Sequence, residues 1–139
     1  MVKAESAAFK FKGFKIPTFS YDESGKSGSA LALNFAPSGK YIQKDGVFEL
    51  SLEMFGYEPE TPKKQIIYLK CLAFFEFKKG LPFEEIPSYF YKNATAIVFP
   101  YIRSFASTLT LQANSTLLIL GLMNLSNLEA SLIKNTKSE

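Results

Sequence analysis

The chemistry open to this chain is limited first by a residue it lacks, since none of its 139 residues is histidine. Histidine is the commonest general acid or base near neutral pH and a leading metal ligand. Without it the Ser–His and Cys–His nucleophile schemes are gone, and so are most zinc sites. The single Cys71 excludes an intrachain disulfide and any paired-cysteine metal or redox motif. It lies in an apolar run between Leu69 and Leu72 and reads as a small core residue. Glu84 and Glu85 are adjacent carboxylates beside a turn. Side chains of sequence neighbours do not converge on one substrate atom, so general acid–base work is not invited. No glycine-rich dinucleotide or phosphate loop occurs. The expectation is a protein with no catalytic residue, no metal and no cofactor, hence not an enzyme.

What remains is recognition. Lys10, Lys12 and Lys15 interleave with Phe9, Phe11 and Phe14. Cations between rings can hold single-stranded nucleic acid. The same alternation marks the wet face of an edge strand, where lysine discourages further pairing. A net charge of only +3 favours the strand reading over nucleic acid. Hydrophobic residues make up 47%, enough for a packed core. Fourteen Phe and seven Tyr, with no Trp, exceed what a small core usually needs. They read either as an aromatic-rich sheet core or as a core plus an apolar binding surface. No apolar leader segment follows Met1, and the longest apolar stretch, Leu117 to Met123, is too short for a bilayer. A cytoplasmic protein without membrane insertion is expected.

The elements that would position these residues divide into strands first and helices last, an α+β order. A first strand covers Phe9 to Tyr21. Its apolar phase slips at Gly13, as at a β-bulge, and Pro17 argues for an edge or a second break. Asp22 to Gly28 is a flexible loop by composition. A second strand runs from Ala30 to Ala36 and ends at Pro37-Ser38-Gly39. Asp45-Gly46 signals a hairpin. In the third strand Phe48, Leu50, Leu52 and Met54 alternate with Val47, Glu49, Ser51 and Glu53, predicting one buried and one wet face. Pro59 and Pro62 punctuate a loop. The fourth strand, Ile66 to Lys78, carries Ile67, Leu69, Cys71, Ala73, Phe75 and Phe77 on one face and a mixed set on the other.

Phe90, Ala94, Ile97, Val98, Tyr101, Ile102, Phe105 and Leu109 recur at helical spacing, with Phe99 outside the stripe. Ser88 is a candidate cap. Pro100 removes one backbone bond and should kink this long helix. Thr116 to Met123 reads as an extended apolar connector. Asn124 to Lys134 reads as a short final helix, with Ser126 and Glu129 as a capping box and Leu125, Leu128 and Leu132 as its apolar edge. Residues 135–139 are polar and expected to be disordered. No linker or repeat divides the chain, so residues 1–139 read as one domain.

Phe77-Lys78-Lys79-Gly80, Glu84-Glu85-Ile86, Phe99-Pro100-Tyr101-Ile102-Arg103, Leu118 to Leu120 and Asn124-Leu125 together resemble the SecB-type protein-export chaperones. Leu31 to Phe35 and Gly46 to Leu52 extend the resemblance over nearly the whole chain. It implies a four-stranded antiparallel sheet packed by one long helix in the C-terminal half, plus a short final helix. It implies a homo-oligomer, dimer or tetramer, with long helices between dimers and with Phe99, Tyr101 and Arg103 at the oligomer interface. It implies binding of unfolded or precursor proteins in apolar grooves. SecB-like relatives also serve toxin–antitoxin pairs. Partnership with the SecA motor carries over less well. The first strand is lysine-rich, Ile16 and Ser20 stand near where acids would be placed, Leu122 stands where a proline is expected, and the tail Lys134 to Glu139 is atypical.

The leading functional reading is therefore a holdase for unfolded polypeptide. A dedicated chaperone of one partner, such as an antitoxin, and a small-molecule-binding domain are the alternatives. The client site is placed between the second strand, with its preceding loop, and the final helix, at Leu31, Leu33, Phe35, Leu125, Leu128 and Leu132.

Overall fold

The computed structural model describes residues 1–4, 8–23, 31–59, 61–115, 118–121 and 123–139, with backbone alone for 61–63. Strands β1 (Lys10–Tyr21), β2 (Ala32–Ile42), β3 (Val47–Glu58) and β4 (Thr61–Glu76) come first. A short 3₁₀ turn at Phe83–Glu85 leads into helix α1 (Ser88–Gln112). Helix α2 (Leu128–Lys134) and strand β5 (Thr136–Ser138) close the chain. The sheet order is β1-β4-β3-β2-β5. Every pairing is antiparallel except that of β5, which runs parallel to β2.

The sheet is thus five-stranded and mixed, not four-stranded and antiparallel. The difference lies in the tail expected to be disordered. The Gly39 N–H donates to the Asn135 carbonyl at 3.2 Å, and the Glu139 N–H donates to Tyr41 O at 2.8 Å. Helix α2 delivers polar residues beside an open strand edge, where main-chain groups pair whatever the side chains are. Thr136 Oγ1 donates to the Leu132 carbonyl at 2.5 Å, joining β5 to the helix before it. An exposed Lys40–Glu139 ion pair at 3.4 Å adds little.

Strand β1 is an edge strand with two breaks in register, at Phe11/Gly13 and at Lys15/Thr18. They fall where the glycine and Pro17 placed them. Gly13 sits at φ +127°, a conformation L side chains rarely adopt. Lys10, Lys12 and Lys15 are exposed along it. The Asp45-Gly46 hairpin forms, with Gly46 at φ +69° donating to the Ile42 carbonyl at 2.9 Å.

Two strands outrun their expected ends. β2 continues through Pro37 to Ile42, and β4 begins at Thr61 and includes Pro62. Pro37 is tolerated for a geometric reason. N–H groups alternate sides along a strand, and Gly39 points its N–H away from β3, at Asn135. β2 and β3 pair without a register shift from Ala32 to Ile42, so Pro37 faces the same outer side and costs no ladder bond.

The alternation in β3 and β4 is realised. Phe48, Leu50, Leu52, Met54, Ile67, Leu69, Cys71, Ala73 and Phe75 are fully buried under α1. Rings gather around Phe90, whose centroid lies 4.8–5.2 Å from those of Phe48, Phe9, Phe77 and Phe75. Edge-to-face packing of this kind adds to burial, and much of the aromatic excess is absorbed there. The Tyr41 hydroxyl donates to the Leu81 carbonyl at 2.6 Å and ties β2 to the approach to α1.

Helix α1 starts after Pro87 with no side-chain cap, so Ser88 opens the helix without capping it. It is 25 residues long, about 37 Å, and continues as helix through Pro100. Pro100 and Ala96, whose carbonyl loses its donor, are both exposed residues, which keeps the cost of that lost bond low. The buried stripe is Phe90, Tyr91, Ala94, Thr95, Val98, Phe99, Ile102, Ala106 and Thr110. Phe99 is inside it and Tyr101 is exposed, the reverse of the expectation. Helix α2 begins at Leu128, later than expected. The Asn124 side chain accepts the Ser126 N–H at 3.0 Å, which holds a turn there, and the capping box does not form. Among the described residues no helix is long and apolar enough to cross a membrane.

Candidate functional site

No group of three or more His, Cys, Asp or Glu able to hold a metal occurs among the described residues. Burial pushes the Cys71 thiol up to about 11, so little thiolate exists near neutral pH. Glu84 and Glu85 lie exposed on the 3₁₀ turn. On the sheet face away from α1, the Tyr68 hydroxyl donates to Glu53 at 2.5 Å. That bond, followed by desolvation and the Glu53 charge, pushes the phenol up to about 12. Among the described residues none of these groups is paired as nucleophile and base.

The larger hollow is a groove of about 710 Å³ between β2 and the segment entering α2. Leu33, Asn34 and Phe35 line it from β2, and Met123, Asn124, Leu125, Asn127 and Leu128 line it from the segment entering α2, with Phe55 from β3. Its position follows from β2. Leu33, Phe35, Pro37, Gly39 and Tyr41 share one side of the pleat, and only the last two residues of that set meet β5. From Ala32 to Ser38 no described strand pairs with β2 on its outer side. By the alternation that placed Gly39, the N–H and carbonyl groups of Leu33 and Phe35 point outward into the groove. A hollow lined by both apolar and amide side chains therefore lies along an edge that no described strand pairs.

Of the six residues expected to bind clients, Leu33, Phe35, Leu125 and Leu128 line this groove. Leu128 is 8% exposed and only its flank is available. Leu132 is fully buried and belongs to the core. Leu31 is half-buried against the core and is not among the groove residues. The loop expected to cover the groove lies outside the described residues beyond Glu23, as does Leu122. Asn34, Phe55, Met123 and Asn127 were not expected in the site, and Asn124 was named only as part of the Asn124-Leu125 motif and as the start of the final helix. The connector before them is pinned at its start, where Leu118 N–H donates to Thr110 Oγ1 at 2.9 Å and Ser107 Oγ donates to the Leu118 carbonyl at 2.8 Å.

A second hollow, about 310 Å³, lies on the other side of that connector, against α1. Lys92, Ala96, Phe99 and Arg103 contribute from the helix, and Met123, Asn124 and Leu125 are shared with the first groove. The three expected interface residues divide here. Phe99 packs edge-to-face on Phe35 at 5.9 Å, and Arg103 covers the Phe99 ring at 5.1 Å. Tyr101 points the other way, to Phe14 at 4.4 Å and Phe11 at 5.5 Å on β1. Phe14, Phe19 and Tyr101 leave an exposed apolar belt beside that edge strand.

No family model matches the sequence. No curated protein matches it either. Among solved structures, the chain is similar to a SecB-like chaperone of Mycobacterium tuberculosis, Rv1957, in complex with a ChAD peptide from the Rv1956 HigA1 antitoxin. The superposition has a TM-score of 0.67 and covers 84% of this chain and 88% of that one at 15% identity. The arrangement of strands and helices described above is accordingly a SecB-like α+β fold.

Proposed function

We propose that this chain is a non-enzymatic SecB-like holdase that binds unfolded polypeptide in the groove between β2 and the entry to α2. One observation carries the reading: a groove walled by Leu33, Phe35, Leu125 and Leu128, with Asn34, Asn124 and Asn127 among them, runs along a strand edge that no described strand pairs at Leu33 and Phe35. An extended client adds main-chain bonds at that edge and buries alternate side chains against Leu33, Phe35 and Leu125. Neither contribution requires a particular client sequence. Apolar burial yields about 25 cal/mol per Å², from which the cost of ordering the client is subtracted. The SecB-like fold supports a chaperone.

The test uses an extended Leu- and Val-rich peptide and two versions methylated at alternate backbone nitrogens. Edge pairing requires one methylated version to lose most of its binding while the other keeps it. A protein that binds none of the three, and does not slow aggregation of an unfolded client, is not a holdase.

A second reading, a dedicated chaperone of one partner, draws support from the antitoxin peptide bound to the mycobacterial protein. Capture of many unrelated chains rather than one would decide against it. The belt of Phe14, Phe19 and Tyr101 supports assembly into a dimer or tetramer, and a sedimenting monomer near 15.6 kDa would refute that. The exposed lysines of β1 support weak or absent SecA binding, an expectation that submicromolar affinity at physiological salt would overturn.

A further inference from the structure

The smaller hollow contains a cation with no counter-charge among the described residues. Arg103 is partly buried with its guanidinium against the Phe99 ring, and its Nε–H is fully buried with no hydrogen-bond acceptor. Among the described residues no carboxylate lines the hollow. Its polar residues are Lys92, Asn93, Arg103, Asn124 and Ser126. Lys92 stands on the same stripe of α1, three turns earlier and about 16 Å along the axis, and adds charge of the same sign. A partly desolvated guanidinium whose Nε–H lacks an acceptor is costly, and a carboxylate that reaches the group recovers part of that cost through charge-assisted bonds. The guanidinium is fixed by the ring, so little ordering is needed when the anion arrives.

We propose that Arg103 receives a side-chain carboxylate of the client, so that the groove prefers extended segments in which an Asp or Glu neighbours apolar residues. This rests on the holdase reading and states its client class. Continuity supports it: Phe35 in the first groove touches Phe99, and Phe99 carries Arg103. The connector residues Met123, Asn124 and Leu125 border both hollows, so a chain lying in the first has its neighbouring residue within reach of the second.

The test compares two Leu- and Val-rich peptides blocked at both ends, one with interior Glu and its twin with Gln, by fluorescence anisotropy at physiological salt. Wild-type protein is expected to bind the Glu peptide about tenfold more tightly, the range of a charge-assisted bond in a half-buried site. Arg103→Gln should abolish that difference and leave the Gln twin within about twofold of its wild-type affinity. Equal binding of both peptides to wild type would overturn the proposal and leave the holdase reading standing. Binding of neither would overturn both. A change of oligomeric state in Arg103→Gln with the Glu preference intact would also overturn it, because a second copy then supplies the carboxylate.

Discussion

Truncating Leu132 to alanine should undo the docking of α2 and with it the tail strand. Leu132 is fully buried in the core, so the substitution loses its transfer free energy and leaves a cavity. Such changes cost about 2.7–5 kcal/mol, depending on how far the site collapses. Helix α2 has only seven residues and lies near the end of the chain, so it can shift inward. The lower part of the range, about 3 kcal/mol, applies. At about 2.1 cal/mol/K per residue the unfolding entropy is about 290 cal/mol/K, and the melting temperature should fall by about 10 °C. If α2 opens by itself at a smaller cost, the loss appears locally instead. Faster hydrogen exchange would then be seen at the Gly39 and Glu139 amides, whose bonds depend on β5. Calorimetry and amide exchange cover both cases. Leu125→Ala is the control: Leu125 is half-buried in the groove wall and should shift melting by about 3 °C or less while weakening client binding. A Leu132→Ala protein that melts within about 2 °C of wild type, with both amides protected, would refute the assignment of Leu132 to the core.

Gly46→Ala should destabilise by about 2 kcal/mol or more, because the position has positive φ. Its new methyl would also lie 2.5 Å from the Phe77 carbonyl oxygen. The check is a lower urea midpoint at unchanged slope. Tyr68→Phe should remove one late-titrating phenol from the alkaline absorbance titration, with a midpoint of about 12. The folded value lies above the ordinary 10, so the stabilisation is complete below pH 10 and lost as pH rises through about 12. A protein and variant with superimposable alkaline titration and unfolding curves would show that the Glu53 bond does not form.

The local geometry of this protein was legible along the chain because it obeys short-range rules. Alternation in β3 and β4 marks the buried face, since a pleat turns every second side chain the same way. Gly13, Pro17 and Asp45-Gly46 marked breaks and a hairpin through the backbone angles they permit. The missing histidine bounded the chemistry in the same direct way. The tail strand was invisible, because Thr136, Lys137 and Ser138 pair through main-chain groups that carry no side-chain signature. Pro37 misled for a related reason: whether a missing N–H matters depends on which side the next strand lies, and only the sheet decides that. The exchange of Phe99 for Tyr101 in the buried stripe of α1 came from packing on two sides, by the sheet and by the connector. Leu128 and Leu132 looked alike in the sequence. They share one helix face, but Leu128 stands at the helix start beside the groove and Leu132 one turn deeper in the core, a difference of position along the axis that only the docking decides. The charge of Arg103 was plain in the sequence, but the lack of an acceptor at its Nε among the described residues was not, since no local pattern records which carboxylates fail to come near.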